Sequence, residues 1–149
     1  MLKLLRLFVV LAGTAALALL VAPAANADQP TRFAVPLSAE CDEAVASGAT
    51  GTAYVSINQE TGRIRYSVVA FNLPDTITAA HIHGPINPDT GNGGIFIGLD
   101  LTGVDSGGVA SGTVTDPARA ADIVADPSSF YFNVHTTTCP GWALRGSLG

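Results

Sequence analysis

Lysine and methionine are almost missing from this chain of 149 residues: each occurs once, as Lys3 and Met1. Charge is also sparse, since only 13% of the residues are charged and the acids outnumber the bases twelve to seven. An acidic surface with little lysine repels the phosphates of nucleic acids and of anionic lipids. The lack of further methionines removes the thioether ligands typical of copper(I) carriers. We therefore expect no nucleic-acid partner.

The one long apolar run lies at the N-terminus, where it predicts a signal peptide. Lys3 and Arg6 precede an apolar stretch over residues 7–21, and small residues follow it, which is the pattern of a cleaved secretory signal. A retained membrane anchor is the alternative, but the strongest apolar core is shorter than the roughly 20 residues of a spanning helix. The prediction is a signal peptide over 1–27 and one domain over 28–149. That domain is expected to be secreted or held at the cell envelope, with no membrane contact after cleavage.

Two cysteines, Cys41 and Cys139, remain after this cleavage and predict a disulfide. An exported protein folds in an oxidising compartment, where an even number of cysteines is most simply paired. The bridge would join the start of the domain to its end. A thiolate metal site is the alternative, which the absence of CxxC spacing disfavours.

Short stretches of alternating apolar and polar residues, divided by turn formers, predict an all-β fold. Residues 51–71 have the pattern of a hairpin, and Arg63 and Arg65 on its outward phase are interpreted as a solvated strand face. Further strands are predicted over residues 33–38, 77–83, 94–101, 109–115, 130–136 and 142–148. This spacing is typical of a Greek-key β-sandwich or barrel of about seven to eight strands.

Two segments depart from the strand pattern. Asp116 and Pro117 have the order of an N-cap and a first-turn proline, so one short helix is predicted over residues 118–125. The loop at 84–94 is rich in glycine, proline and asparagine. It lacks the features of a phosphate-binding loop, and its oxygen-bearing side chains do not have the spacing of a calcium loop. We interpret it as a plain mobile turn.

All three histidines of the chain lie in two of the predicted strands. His81 and His83 occur in the sequence AAHIHGP at 79–85, and His135 occurs in YFNVHT at 131–136. Residues two apart in a strand point to the same face, so pairing of the two strands would bring three imidazoles together. Neutral imidazole nitrogens suit copper(II) or zinc. The sequence thus predicts a candidate metal site in which ring nitrogens lie within about 4–5 Å of one another.

Asn133 and Arg145 are predicted to support these histidines. Asn133 shares the strand phase of His135 and could orient that ligand through a hydrogen bond. The alternative is a buried hydrogen-bond network, closed by Arg145, that fixes the order of the strands without a metal. A nucleophilic triad has no support, because no serine stands with a histidine and an acid in a recognisable order.

Several motifs of the chain resemble the CHRD (chordin) domain family. They read LSAE at 37–40, GTA at 51–53, AAHIHGP at 79–85, YFNVHT at 131–136 and PGWALRGSL at 140–148. The resemblance runs from about Phe33 to the end. Trp142 stands where the closing motif usually carries a second glycine, and the two cysteines are not a general feature of the family.

The CHRD family occurs in chordin, an extracellular binder of bone morphogenetic proteins, and as solitary secreted bacterial proteins, which this chain resembles. The resemblance implies a secreted, non-catalytic module that binds an extracellular protein or a surface polymer. Chordin's own partners do not carry over to this chain. The alternative function is a copper- or zinc-binding protein that uses His81, His83 and His135.

A more distant similarity is to copper-zinc superoxide dismutase. That enzyme also has a His-x-His strand followed by a glycine-rich turn, and it has a segment similar to the one around Arg145. Its copper and zinc sites need more histidines than the three of this chain. The similarity therefore implies a Greek-key fold with Arg145 close to the histidines, and no dismutase activity is expected.

Overall fold

Eight antiparallel strands in one sheet make up about half of the described chain. The computed structural model describes residues 29–99 and 109–149, so the predicted signal peptide lies outside the described residues. The strands are β1 (Thr31–Ala39), β2 (Thr50–Asn58), β3 (Arg63–Phe71), β4 (Ile77–His83), β5 (Ile95–Gly98), β6 (Val109–Thr115), β7 (Tyr131–Thr136) and β8 (Leu144–Ser147). Their order in the sheet is β5-β4-β7-β8-β1-β2-β3-β6.

Alternation of buried and exposed side chains explains why these segments form strands. In β3, Ile64, Tyr66 and Val68 are buried, whereas Arg63 and Arg65 between them are exposed. Such a period of two places one set of side chains on each face of the sheet. The all-β fold predicted from the sequence is confirmed, and among the described residues the predicted strands differ from the observed ones only at their ends. Residues 100–101 of the strand predicted over 94–101 lie outside the described residues.

The core lies on one face of the sheet, which curls around it. Buried side chains from strands far apart in the sheet order belong to the same apolar cluster, among them Val35 of β1, Val68 of β3, Ile82 of β4 and Phe132 of β7. A flat sheet of this width could not bring them together, so the curl follows from their burial in one core. The opposite face of the sheet remains for polar side chains.

The described chain contains two α-helices, α1 (Asp42–Ser47) and α2 (Pro117–Ala125), and a 3₁₀ turn at Pro127–Ser129. Helix α2 is the predicted one: the Asp116 carboxylate accepts the backbone N–H of Arg119 at 3.0 Å. Helix α1 corrects the expectation of a single helix. Its six residues are too few to show a helical period in the sequence.

Cys41 and Cys139 form the predicted disulfide, with their Cα atoms 6.2 Å apart and a separation of 98 in sequence. Cys41 stands at the N-terminal end of α1, and Cys139 lies between β7 and β8. The bridge therefore anchors the segment that follows β7. Because the two sulfur atoms are bonded to each other, they offer no thiolates to a metal ion, and the alternative thiolate site is wrong.

None of the helices that the structure describes is both long enough and apolar enough to span a membrane.

Candidate metal centre

Antiparallel pairing of β4 with β7 brings the histidine-bearing segments side by side. His81 lies opposite Asn133, His83 lies opposite Tyr131, and His135 lies opposite Ala79. The alternate residues of both strands, such as Ile82 and Phe132, are fully buried in the core. The histidines therefore share the other face of the sheet.

The three imidazole rings form a single cluster on that face. Nδ1 of His81 lies 2.8 Å from Nε2 of His135. The ring centroid of His83 lies 5.5 Å from that of His81 and 6.2 Å from that of His135. One ring nitrogen of each residue can be chosen so that all three lie within 4.8 Å of one another. The structure thus brings together the three residues that the sequence singles out.

The backbone determines which nitrogen of His135 faces the cluster. Nδ1 of His135 lies 2.8 Å from the carbonyl oxygen of Pro140, and since that oxygen can only accept, Nδ1 carries the proton. Nε2 is then a lone-pair acceptor, and it receives the hydrogen bond from Nδ1 of His81. Metal-bound histidines are commonly held in this way by a carbonyl on their second nitrogen.

His83 is held by the same kind of contact. Its Nδ1 donates to the carbonyl oxygen of Gly93 at 3.0 Å, and its ring stacks on Tyr131 with centroids 5.0 Å apart. The residue is only 8% exposed, and its Nε2 is buried without a hydrogen-bond partner in the described chain. An unpartnered buried nitrogen of this kind is costly, by about 1–3 kcal/mol, unless a ligand satisfies it.

Burial favours the neutral form of His81 and His83. Desolvation, followed by the proximity of His135 and His83, lowers the pKa of His81 from 6.5 to about 4. Desolvation also lowers the pKa of His83, and the nearby His135 and Arg145 lower it further against the opposing Gly93 hydrogen bond. Neutral imidazole is the ligand form, so protons do not compete for these two residues at neutral pH.

Asn133 lies beneath the cluster and is completely buried. Its Nδ2 group lies 3.3 Å from Nε2 of His135 and donates to the carbonyl oxygen of Gly141 at 3.3 Å. Its Oδ1 is buried without a hydrogen-bond partner in the described residues. Asn133 thus contacts His135 as the sequence predicts, and it leaves a second unsatisfied polar atom beside the histidines.

Arg145 reaches the site through its neighbours. Its guanidinium lies 3.7 Å from the centre of the Tyr131 ring, which is the ring that stacks on His83. It donates to Oδ1 of Asn92 at 2.9 Å and to the carbonyl oxygen of Gly91. Arg145 therefore holds the loop at 84–94 against the site. The loop that the sequence pattern predicts as a plain mobile turn therefore also contacts the candidate site.

Sequence reasoning missed three parts of this arrangement. The carbonyl groups of Pro140 and Gly93 are backbone atoms and leave no mark in the sequence. Tyr131 could have been found, since it shares the strand phase of Asn133 and His135 within one motif.

The donor set suits a copper(II) or zinc ion in its chemistry, and binding would require the three rings to move. Two nitrogens bound at about 2.0–2.1 Å to a tetrahedral ion lie roughly 3.3 Å apart. His81 and His135 would therefore have to separate by about half an ångström from their hydrogen-bonded distance. The three ligand nitrogens lie within 4.8 Å of one another, so the remaining pairs would have to close by up to about 1.5 Å. In the described chain no carboxylate belongs to this cluster.

The fold and this cluster define an all-β domain with three histidines on the outer face of its sheet. The chain belongs to the CHRD domain family, because the model of that family matches residues 33–148. No curated protein and no solved structure matches the chain.

Proposed function

We propose that this CHRD-domain protein is a secreted, non-catalytic binding protein whose centre is a copper(II) or zinc site formed by His81, His83 and His135. The observation that carries the proposal is the buried, unpartnered Nε2 of His83 in a ring beside two other imidazoles. A metal ion would satisfy this nitrogen. Secretion is supported by the signal pattern at residues 1–27.

The ligand chemistry favours copper(II) or zinc over other ions. Three neutral imidazoles suit these two ions, whereas calcium and magnesium require oxygen ligands. The soft ligands that copper(I) prefers are not offered, because the cysteines are paired and Met1 lies in the predicted signal. Three protein ligands leave a fourth position for water or for a group of a bound partner.

The proposed ion would hold together strands and loops that already meet at this point. Asn133 and the carbonyls of Pro140 and Gly93 would orient its ligands. The chain has no fourth histidine to complete a dismutase-type copper site. We therefore propose binding and not superoxide dismutation.

The test is calorimetric titration of copper(II) and of zinc into protein recovered from the exported fraction and treated with EDTA. We expect one ion per chain, and we expect each of His81→Ala, His83→Ala and His135→Ala to weaken binding by at least tenfold, on the order of 1.4 kcal/mol. Circular dichroism would check that each variant is folded.

The matched control is Asp89→Ala, which removes an exposed potential ligand from the loop at 84–94. It should bind like the wild type. The proposal is overturned if the wild-type protein releases no more heat than the triple histidine variant, or if Asp89→Ala abolishes binding as the histidine variants do.

A further inference from the structure

Three arginines lie on the outer face of the sheet, Arg32 in β1 and Arg63 and Arg65 in β3, with β2 between these two strands. Arg32 is opposite Ser56, which is in turn opposite Arg65, and Arg63 is opposite Asn58. Neighbouring strands are about 4.8 Å apart, so Arg32 and Arg65 flank Ser56 at roughly 10 Å from each other. All three arginines are at the surface, and together they are most of the five that follow the predicted signal peptide.

This arginine cluster has no acidic partner within its sheet. Strands β1, β2, β3 and β6 contain no aspartate or glutamate, although the chain has twelve acidic residues. In the described chain, the side chains of the three arginines form no ion pair and no hydrogen bond. Glu60, in the turn between β2 and β3, forms no ion pair with them. Like charges placed together repel, so an unpaired cluster in an acidic protein indicates a site for an anion.

Two adjoining cavities lie on this surface. One, of about 140 Å³, is lined by Pro30, Ser56, Asn58, Thr61, Arg63 and Arg65. The other, of about 260 Å³, is lined by Arg32, Tyr54, Ser56 and Arg65 of the outer face and by Phe33, Val55 and Tyr66, which alternate with them along the strands. Ser56 and Arg65 line both cavities, so the two form one shallow groove.

Tyr54 adds an aromatic surface to this groove. It precedes Ser56 by two positions on the same face of β2 and is 55% exposed. An exposed tyrosine ring offers an apolar plane with a polar end, and such rings are favoured at binding surfaces. The C–H face of a sugar ring packs well against such a plane.

We propose that the groove binds an acidic polysaccharide. A sugar ring would lie against Tyr54, and carboxylates of neighbouring sugars would be held by Arg32 and Arg65, whose planar guanidinium groups match a carboxylate in two-point contacts. The side chains of Ser56 and Asn58 supply donors and acceptors for sugar hydroxyls. A shallow groove across strands suits an extended polymer, and the net negative charge of the protein disfavours the denser charge of nucleic acid.

This surface is separate from the histidine cluster, and the proposal does not depend on metal binding. Arg32 stands at the start of β1, whereas β1 meets β8 at Ser38, six positions further along. That distance along a strand is about 20 Å. The two sites can therefore be tested independently.

The test is a calorimetric titration of oligogalacturonate into the EDTA-treated protein, which measures the binding affinity. We expect Arg32→Gln and Arg65→Gln each to weaken binding by about tenfold, the size of one charge-assisted contact. Tyr54→Ala should also weaken binding, whereas Tyr54→Phe should preserve it, because the ring and not the hydroxyl makes the proposed contact. These positions are exposed on a strand face, so the variants should fold.

Arg119→Gln is the matched control, since it removes the same charge from α2, where Arg119 pairs with Asp116. It should leave binding unchanged, and so should the triple histidine variant. The proposal is wrong if Arg119→Gln weakens binding as much as Arg65→Gln, or if the neutral methyl ester of the oligosaccharide binds equally well. It is also wrong if the histidine variant loses binding, or if single-stranded DNA or phosphatidylglycerol vesicles bind more tightly than the oligosaccharide.

Discussion

His135 stands between a backbone carbonyl and another histidine: its Nδ1 is 2.8 Å from the oxygen of Pro140, and its Nε2 is 2.8 Å from Nδ1 of His81. In the metal-free protein, the proton on Nδ1 of His81 lies where an ion shared by the two residues would bind. Binding would replace this hydrogen bond and move that proton to Nε2 of His81. The His81 ring keeps its proton and remains neutral, so the hydrogen bond can be replaced by an ion without a change in the charge of His81.

The pKa of His81 is a direct test of this arrangement. We expect His81 to titrate at about 4 in the metal-free protein, mainly because it is desolvated and secondly because His135 lies beside it. An NMR titration of the imidazole C–H signals measures this value. Replacing His135 with alanine should raise the pKa of His81 only part of the way to 6.5, since burial is the larger cause.

The lowered pKa also predicts how stability depends on pH. The unfolded chain binds the His81 proton near pH 6.5, whereas the folded protein resists it down to about pH 4. The neutral His81 therefore contributes fully to the free energy of unfolding above pH 6.5, and this contribution is lost as the pH falls toward 4. Melting temperatures measured from pH 6.5 to pH 4 check this expectation. They should depend less on pH in His81→Gln than in the wild type. A normal titration of His81 would contradict both expectations.

The strands were predictable because alternation is a local property, as Ile64, Tyr66 and Val68 illustrate between arginines. Helix α1 was not, because it is short and is capped by Cys41, whose sulfur accepts the N–H of Ala44. The histidine cluster could be anticipated from strand phase. Its carbonyl partners could not, because they depend on where the loops return to the sheet.

Gly84 lies at the end of β4 in a conformation that other residues rarely adopt, with a φ of 150°. A Cβ at this position would overlap the Phe130 ring and lie 2.7 Å from the carbonyl oxygen of Ser129. Gly84→Ala should therefore destabilise the protein by about 1–3 kcal/mol. Gly94→Ala is the control, since a Cβ there meets no atom within 4 Å. Urea denaturation that gives the two variants equal stability would disprove the expected crowding.

The disulfide between Cys41 and Cys139 closes a loop of 98 residues. Restricting so long a loop in the unfolded chain stabilises the fold by about 4–5 kcal/mol in the chain-entropy model. The double variant Cys41→Ser/Cys139→Ser should lose stability by this amount, as measured by denaturation at constant pH. Wild-type protein treated with a reductant should match it. Little or no loss in both samples would mean that the cross-link does not restrict the unfolded chain.

Arg145 should influence the site through Tyr131 and the loop at 84–94. Its guanidinium covers the Tyr131 ring and bonds to Asn92 and to the Gly91 carbonyl, close to the Gly93 carbonyl that holds His83. If the proposed metal site is correct, Arg145→Gln should weaken zinc binding by about 10–100-fold, as is usual when a group that orients a ligand is lost. The pKa of His83 should also rise, because the charge of Arg145 lowers it.

Two control variants distinguish the specific effect of Arg145 on zinc affinity from the effect of removing a positive charge. Arg119 also lies over an aromatic ring, 5.5 Å from the centre of Phe96, but its guanidinium pairs with Asp116 and makes no hydrogen bond to the loop at 84–94 in the described chain. Arg119→Gln should leave zinc affinity and the pKa of His83 unchanged. Arg145→Lys keeps the charge without the forked hydrogen bonds, so it should preserve the pKa of His83 while still weakening zinc binding. Equal zinc affinity in Arg145→Gln and wild type would show that the loop is held in place by its remaining contacts, chiefly the bond between Tyr131 and Gly93.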